Sequence, residues 1–299
     1  MLTFLPGPVL GVISLLLFIF NTFFWCTILY FFVILKLLIP HTGIRRQISN
    51  LLILIANIWI SGNSLILRIT QKIIWDIQGL ENLTPKNSYL VISNHRSWTD
   101  IFVLQHIFKN RIPFLKFFLK QELIWVPFLG IAWWALDFPF LKRYSRHFLE
   151  KHPELRGKDM ETTRKHCEKF KNSPVSVMNF LEGTRFNLKK HQKQNSPYRH
   201  LLLPRAGGVA LVLATMGDRL AYVLDTTIIY PENRSAMKFW DLLSGHIPRI
   251  TVRVTKLDVP KDAAGRDYQE DQDFREKIQQ WVNGIWQAKD HRIGIILAE

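Results

Sequence analysis

The pattern of hydrophobic and polar positions separates an apolar N-terminal part from a longer part in which short apolar runs alternate with amphipathic segments. Residues 9–39 are almost continuously apolar, and residues 1–35 carry no charged side chain. A helix of about 20 apolar residues spans a bilayer, so this segment is long enough. The stretch 51–69 is also apolar but is interrupted by Asn57 and Arg68, among others. We interpret it as a helix at the membrane interface or against the soluble domain, with a hairpin made with the first segment as the alternative.

The first apolar segment is expected to be an uncleaved membrane anchor. A signal peptide has a positively charged leading region and a shorter apolar core, whereas residues 1–8 contain no lysine or arginine. Lys36, Arg45 and Arg46 lie at the end of the segment and beyond it, so the positive-inside rule favours a cytoplasmic location for the remainder. The excess length is compatible with a tilted span or with two helices that enter and leave one leaflet.

Beyond the apolar region, strand-like and helix-like segments alternate, which predicts an α/β fold. The pattern gives a short strand near residue 75 and strands over 88–93, 113–119, 174–181, 222–230 and 249–257, with helices over 99–108, 158–171, 207–216 and 274–287. This alternation predicts a mixed, largely parallel sheet flanked by helices. We therefore expect an N-terminal membrane region over 1–75, followed by a soluble domain over 76–299. The polar, basic segment 186–200 is predicted to be a mobile loop.

The net charge indicates which class of partner the protein binds, and the cysteine usage indicates the redox state of its compartment. The chain has 39 lysines and arginines against 24 acids, a net charge of +15. Such an excess indicates an anionic partner, which is a nucleic acid, a phosphorylated substrate or a membrane surface. The two cysteines, Cys26 and Cys167, give neither a disulfide framework nor a metal-ligand pattern, as is typical of a reducing compartment.

The segment Asn94-His95-Arg96-Ser97-Trp98-Thr99-Asp100 directly follows a predicted strand. His95 would then lie at a strand-to-helix junction, where catalytic groups are accessible, and histidine accepts and returns protons near neutral pH. Asp100 is suited to keep one ring nitrogen protonated so that the other acts as a base. The alternative is a capping box with Ser97 as N-cap and Asp100 at the third helical position, and the two roles are compatible. A metal site is not expected, because one histidine and one carboxylate leave a ligand missing.

A second motif, Glu182-Gly183-Thr184-Arg185, follows the strand predicted over 174–181. Glycine permits a turn that other residues disfavour. Arg185 presents a planar fork that matches a phosphate group, and the alternative is a solvated arginine after a turn.

The order of four short motifs carries a family resemblance. N-H-x-x-x-x-D is followed by F-P-F-L-K-R at 138–143, F-L-E-G-T-R at 180–185 and L-P-R-A-G-G at 203–208. This arrangement resembles the glycerolipid acyltransferase family, whose best-known members are lysophosphatidic acid (1-acylglycerol-3-phosphate) O-acyltransferases. The resemblance covers about residues 75–230. The L-P-R-x-x-G and F-L-K-R segments are more similar to the branch with lysocardiolipin-type and related bacterial enzymes.

The resemblance implies a role for each matching position. His95 would be the general base that removes a proton from a lysophospholipid hydroxyl, oriented by Asp100, and the hydroxyl would attack an acyl thioester without an acyl-enzyme. The implied acceptor-binding residues are Glu182, Gly183, Thr184, Arg185, Lys142, Arg143, Pro204 and Arg205. Two departures are that Leu181 replaces the usual proline of the third motif and that the second motif lacks its usual leading glycine pattern.

The resulting hypothesis is a membrane-bound O-acyltransferase that converts lysophosphatidic acid to phosphatidic acid. Acyl-CoA or acyl-carrier protein would be the co-substrate, with no metal or other cofactor. The expected location is the bacterial inner membrane, with the catalytic domain on the cytoplasmic side. One alternative is remodelling of lysophosphatidylglycerol or lysocardiolipin. A second is a basic membrane-surface or nucleic-acid-binding protein without catalysis, although the apolar N-terminus argues against a nucleic-acid partner.

The aromatic stretch over residues 123–140 has two interpretations. It contains Trp125, Phe128, Trp133 and Trp134. These side chains either pack in the core or line a groove for an acyl chain and contact the membrane interface, where tryptophan is favoured.

Overall fold

A six-stranded mixed sheet forms the centre of the protein. The computed structural model describes residues 2–141, 151–152, 161, 173–232, 237–266, 268 and 271–298. The strands are β1 (Ile74–Gln78), β2 (Ser88–Ser93), β3 (Leu115–Phe117), β4 (Leu119–Lys120), β5 (Phe140–Leu141), β6 (Ser176–Phe180), β7 (Leu220–Ile229) and β8 (Arg249–Leu257).

Four neighbouring strands of the sheet run in the same direction. The strand order is β1-β8-β7-β2-β6-β3, and β4 pairs with β5 in a separate ribbon. β7, β2, β6 and β3 are parallel, whereas β8 is antiparallel to β7 and parallel to β1. The prediction of a mixed, largely parallel sheet is therefore confirmed, and the carboxyl ends of β2, β6 and β7 meet at one edge.

Helices cover both faces of the sheet. They are α1 (Gly7–Leu38), α2 (Thr42–Thr70), α3 (Thr99–Phe108), α4 (Leu129–Ala135), α5 (Leu188–Gln194), α6 (Gly207–Met216), α7 (Phe239–Leu243) and α8 (Gln272–Ala298). Because side chains alternate along a strand, β2 is apolar on both faces. Tyr89 and Val91 pack in the core shared with α1 to α4 and α7, whereas Leu90 and Ile92 pack in the core shared with α6 and α8.

The two N-terminal helices form an antiparallel hairpin held by polar contacts. The Asn21 amide donates to the Trp59 carbonyl oxygen at 3.0 Å and to Asn63 Oδ1 at 2.8 Å. At the open end of the hairpin, Gln71 Nε2 lies 3.3 Å from Ser14 Oγ. The Trp59 indole also donates to Thr22 Oγ1 at 3.1 Å, and side-chain hydrogen bonds of this kind join helices whose other facing side chains are mostly apolar.

The hairpin also packs against the sheet domain. Both helices are long and apolar enough to cross a membrane by length and composition. The ring of Phe18 on α1 contacts Phe102 on α3 with centroids 5.2 Å apart, and Phe23 contacts Phe128, which directly precedes α4, at 5.4 Å. One hydrophobic cluster therefore includes side chains from the hairpin and from the sheet.

Most predicted elements coincide with observed ones, and three differ. The helices predicted over 99–108 and 207–216 match α3 and α6. The segment 51–69 belongs to the longer α2, whose pairing with α1 corresponds to the hairpin alternative. The loop prediction for 186–200 is wrong in part, because α5 lies there, and α8 extends well beyond 274–287. Apart from residue 161, the helix predicted over 158–171 lies outside the described residues.

Close helix contact at Gly62 makes a test of the hairpin possible. A Cβ atom at Gly62 would lie 2.3 Å from Asn21 Oδ1, so Gly62→Ala would force the Asn21 amide out of its two hydrogen bonds. We expect this variant to lose about 1–2 kcal/mol of unfolding free energy despite the better helix propensity of alanine. Thermal unfolding in detergent measures the effect.

The matched control is Gly284→Ala on α8, where an added Cβ would meet nothing within 4 Å. That substitution should be neutral or slightly stabilising, since only helix propensity changes. A Gly62→Ala protein as stable as the control would contradict the proposed packing.

Candidate active site

The candidate site lies where the carboxyl ends of β2, β6 and β7 converge. Asn94, directly after β2, binds the backbone of Ile228 in β7 twice, donating from Nδ2 to the carbonyl at 2.8 Å and accepting from the N–H at 2.9 Å. On the other side, the Leu181 N–H donates to the Ser93 carbonyl at 3.3 Å. The strand pairing is thereby extended past the end of β2, which fixes the backbone that carries His95.

His95 and Asp100 form a hydrogen-bonded pair. His95 Nδ1 lies 2.8 Å from Asp100 Oδ2. The same oxygen accepts the backbone N–H groups of Arg96 at 2.6 Å and Ser97 at 2.9 Å. Since the carboxylate is an acceptor for backbone donors as well, Nδ1 is the protonated ring nitrogen and Nε2 is available to accept a proton.

The structure has only part of the predicted capping box in this segment, because α3 begins at Thr99 with Trp98 rather than Ser97 at the N-cap. Asp100 lies in the first turn of α3 and binds the N–H of Ser97, as a capping carboxylate does. In a regular capping box, Ser97 Oγ would accept from the N–H of Asp100. Here it accepts from the N–H of Thr99 at 3.3 Å, which is one residue closer in sequence.

The His95 ring packs against Phe180 and is partly exposed to solvent. Phe180, the last residue of β6, stacks on it with centroids 3.9 Å apart and planes 13° from parallel. About 14% of the His95 side chain is exposed, whereas the Asp100 side chain is fully buried. Phe180 thus restrains one face of the imidazole and Asp100 restrains Nδ1, while part of the ring stays accessible to solvent.

Glu182 is buried and binds backbone rather than solvent. Its Oε1 accepts the His95 N–H at 2.8 Å and its Oε2 accepts the Leu202 N–H at 3.2 Å. Burial raises the pKa of this carboxyl to about 8, although the two backbone donors and the positive charge of Arg96 act in the opposite direction. The side chain has no exposed surface and holds the backbones of His95 and Leu202 together, and its acceptor contact stays a prediction.

The rest of the second motif forms a turn beside His95. Gly183 adopts a φ of +65°, which glycine tolerates without steric cost. Phe186 returns to the first motif by donating its N–H to the His95 carbonyl at 2.8 Å. Lys190 on α5 donates to Thr184 Oγ1 at 2.6 Å and to the Arg185 carbonyl at 3.0 Å, so a lysine that the motif does not include joins the site.

The arginines around this turn are oriented by aromatic rings and by the turn itself. The Arg185 guanidinium lies over exposed Trp98 at 5.3 Å from the ring centroid. Arg96 lies over Phe186 at 4.5 Å. The contact with Trp98 orients the Arg185 guanidinium, whose side chain is exposed and can bind an anion.

The last motif reaches the same turn through Arg205. Its N–H donates to the Leu181 carbonyl at 2.8 Å, and its exposed side chain lies against Gly183. Pro204 is buried and accepts a hydrogen bond from Gln279 on α8 at 3.4 Å through its carbonyl, which is a structural contact. The two remaining expected residues, Lys142 and Arg143, lie outside the described part of the chain.

Besides Lys190, the site includes a tyrosine that belongs to none of the sequence motifs. Tyr230 directly follows β7, is buried, and donates its hydroxyl to Asp100 Oδ1 at 2.6 Å. Among the described residues, no group of three His, Cys, Asp or Glu side chains is close enough to hold a metal ion. The expectation of a reaction without metal stays a prediction.

Comparison with known proteins identifies the family. The sequence profile described as Acyltransferase matches residues 75–231, which is more than half of the chain. The chain belongs to the acyltransferase family. The match begins at β1 and ends just after Tyr230, so it covers every described residue of the site.

Relatives and a solved structure agree with this family. The chain is 25% identical over 221 residues to the mouse protein named 1-acyl-sn-glycerol-3-phosphate acyltransferase delta, covering 69% of this chain and 52% of that protein. It is 24% identical over 235 residues to the Arabidopsis thaliana protein named 1-acyl-sn-glycerol-3-phosphate acyltransferase 3, covering 73% and 56%. The chain therefore spans about half the length of the curated relatives it matches.

The crystal structure of the 1-acyl-sn-glycerophosphate acyltransferase PlsC from Thermotoga maritima has the same fold. It superposes with a TM-score of 0.52 at 17% identity, covering 95% of this chain and 98% of that one. The coverage includes the N-terminal helices as well as the sheet.

The buried Glu182 gives a pH-dependent prediction. Because its folded-state pKa of about 8 lies above its ordinary value of 4.5, the folded chain binds more protons than the unfolded chain between these two values. Its contribution to stability therefore falls as pH rises through that window. Glu182→Gln, which cannot ionise, should lack this fall, so the variant should gain stability relative to the unmodified protein from pH 5 to pH 8.

Thermal unfolding of both proteins across this pH range measures the relative change, and titrations common to both cancel. A difference in melting temperature that stays constant from pH 5 to pH 8 would show that Glu182 is charged throughout.

Proposed function

We propose that the protein transfers a fatty acyl group from a thioester donor, acyl-CoA or acyl-carrier protein, to the hydroxyl of a lysophospholipid. The observation that carries this proposal is the His95–Asp100 pair at 2.8 Å, located at the converging strand ends beside the arginine-bearing turn. A base and a cation next to each other suit a substrate whose phosphate is held while its hydroxyl reacts.

The reaction needs one proton acceptor and no covalent intermediate. His95 Nε2 accepts the proton of the acceptor hydroxyl as its oxygen attacks the thioester carbonyl carbon. Asp100 stabilises the imidazolium that forms, through the Nδ1 contact. When the carbon–sulfur bond breaks, the imidazolium returns the proton to the leaving thiolate, which gives the ester and a free thiol.

Lysophosphatidic acid is the proposed acceptor. Arg185, exposed and oriented over Trp98, would bind its phosphate, assisted by Arg205 and Lys190, which lie at the same turn. An arginine fork matches the geometry of a phosphate group. The names of the mouse and Arabidopsis relatives support this acceptor.

The apolar side chains between α1, α2, α3 and α4 are the proposed contact for the acyl chain, and they must move apart on binding because the cavity between them is only about 30 Å³. Its lining includes Trp25, Trp59, Trp133 and Phe138. Stacked rings connect it with the catalytic base, because Phe138 stacks on Phe117 at 6.4 Å, Phe117 on Phe180 at 6.2 Å, and Phe180 on His95. Trp133 thus lines an interior cavity, whereas Trp125 and Trp134, from the same aromatic stretch, are exposed.

We propose that the hairpin of α1 and α2 lies in one leaflet of the membrane. At 1.5 Å per residue, the 32 residues of α1 are about 48 Å long, against a bilayer core of about 30 Å. The helix contacts the sheet domain near both ends. Gly11 lies against Trp240, and Val33 and Leu37 border a cavity with Trp134. A hairpin held along the domain surface cannot place its turn on the far side of the bilayer, and its exposed apolar side chains suit lipid.

The activity test measures thiol release from acyl-CoA with a panel of lysophospholipids. His95→Ala should lower the rate about a hundredfold or more, since it removes the general base. Arg185→Ala should raise KM for lysophosphatidic acid about tenfold, with a smaller effect on kcat, because a charge-assisted phosphate contact is lost. The donor and its concentration are kept constant.

The matched control is Arg219→Ala, which removes an exposed arginine at the opposite end of β7. Equal thiol release by the unmodified protein and His95→Ala would refute the mechanism. A preference for lysophosphatidylglycerol or lysocardiolipin would refute only the proposed acceptor.

The orientation of the hairpin is tested by cysteine labelling. In a Cys26→Ser, Cys167→Ser background, His41→Cys places a single thiol at the exposed turn between α1 and α2, and Lys86→Cys places one on the sheet domain. An impermeant maleimide added to sealed vesicles should label both from the same side. Labelling of His41→Cys from the side opposite to Lys86→Cys would mean that the hairpin crosses the bilayer.

A further inference from the structure

The Asp100 carboxylate is bound from two separate parts of the chain. Oδ2 accepts from His95 Nδ1, Arg96 N and Ser97 N, all within five residues of Asp100. Oδ1 accepts from the hydroxyl of Tyr230, which is 130 positions away at the end of β7. The local segment therefore binds one oxygen, and a different strand binds the other.

The second contact has a geometric consequence. The terminal torsion of an aspartate side chain is broad, so bonds to one oxygen alone leave the carboxylate free to swing about that oxygen. A donor on Oδ1 fixes the plane of the group and keeps Oδ2 directed at Nδ1. Tyr230 is well suited for this because its ring is buried and its backbone directly follows β7. The end of β7 is itself held in place, since Asn94 bonds to both the N–H and the carbonyl of Ile228.

The contact also has an electrostatic consequence. A fully buried carboxylate is costly unless its charge is shared by several donors. Burial and the adjacent negative charge of Asp100 raise the pKa of Tyr230 well above its ordinary value, so the hydroxyl stays a neutral donor. By taking part of the charge of Asp100, it limits how strongly Asp100 stabilises a protonated His95.

We infer that Tyr230 is a positioning residue of the catalytic pair, which fixes the orientation of Asp100 and tunes the basicity of His95 through it. The inference rests on the proposed function, in which His95 is the base. In the described part of the chain, the other charged or titratable groups that act on the pair are Arg96 on its own segment and Glu182 after β6. Both are retained in the test below.

The test is Tyr230→Phe, which removes the hydroxyl and keeps the ring. Without this donor, more of the charge of Asp100 acts on the imidazolium. We expect the acidic limb of the kcat/KM profile to move to higher pH by about 0.5 unit. We expect kcat to fall about tenfold, as for the loss of one hydrogen bond to a charged group. A purely structural role would lower stability without moving the pH profile.

A second readout is independent of activity. The His95 ring resonance, assigned by its absence in His95→Gln, is followed by NMR across the same pH range in the unmodified protein and in Tyr230→Phe. The titration midpoint of His95 should move upward in the variant. If His95→Ala retains activity, the proposed function fails, and this measurement still decides whether Tyr230 acts on His95.

The matched control is Tyr89→Phe on the neighbouring strand β2. Tyr89 is equally buried, and its hydroxyl bonds to the backbone of Thr84, away from the catalytic pair. A His95 midpoint in Tyr230→Phe that is unchanged, lower, or shifted no more than in Tyr89→Phe overturns the inference. An upward shift confined to Tyr230→Phe supports it, whatever the two variants lose in stability.

Discussion

The site depends on keeping one carboxylate charged inside the protein. Asp100 has no exposed surface, and water therefore cannot stabilise it. Its charge is balanced by donors from the loop after β2, which are His95, Arg96 and Ser97, and by the hydroxyl of Tyr230, which directly follows β7. Each donor is useful only if its own strand or helix is in place, so assembly of the catalytic pair requires the folded sheet.

Parallel strands explain why motifs far apart in sequence meet. β2, β6 and β7 point the same way, so the residues that follow them share one edge of the sheet, where ligands bind in open α/β folds. Glu182 then connects the segments, since one oxygen binds the backbone of His95 and the other binds Leu202. A residue that family resemblance associates with the acceptor is, in this chain, a link between three loops.

The sequence was informative where local patterns determine the structure. The alternation of strand-like and helix-like segments predicted the sheet class, and the apolar run of β2 with the motif order predicted that His95 and Asp100 lie where a strand meets a helix. Tyr230 could not be found, because no local pattern pairs it with Asp100, and burial of Glu182 was not visible in a motif that ends in exposed residues. The segment 186–200 was predicted to be a loop because its composition is polar and basic. The helix in this segment, α5, has one local start signal, which is Asn187 at its N-cap. The Asn187 side chain accepts the N–H of Lys190.

Two hydrogen bonds between the Asn94 side chain and the backbone of Ile228 attach the segment that carries His95 to β7. The central strands of the sheet are expected to be the last to unfold. Local unfolding usually begins in segments with few buried contacts, and central strands open only with the whole domain. His95 follows β2, a central strand whose core residues are fully buried. Amide hydrogens around His95 should therefore exchange as slowly as those of the sheet centre, and loss of the site on heating should coincide with global unfolding rather than precede it.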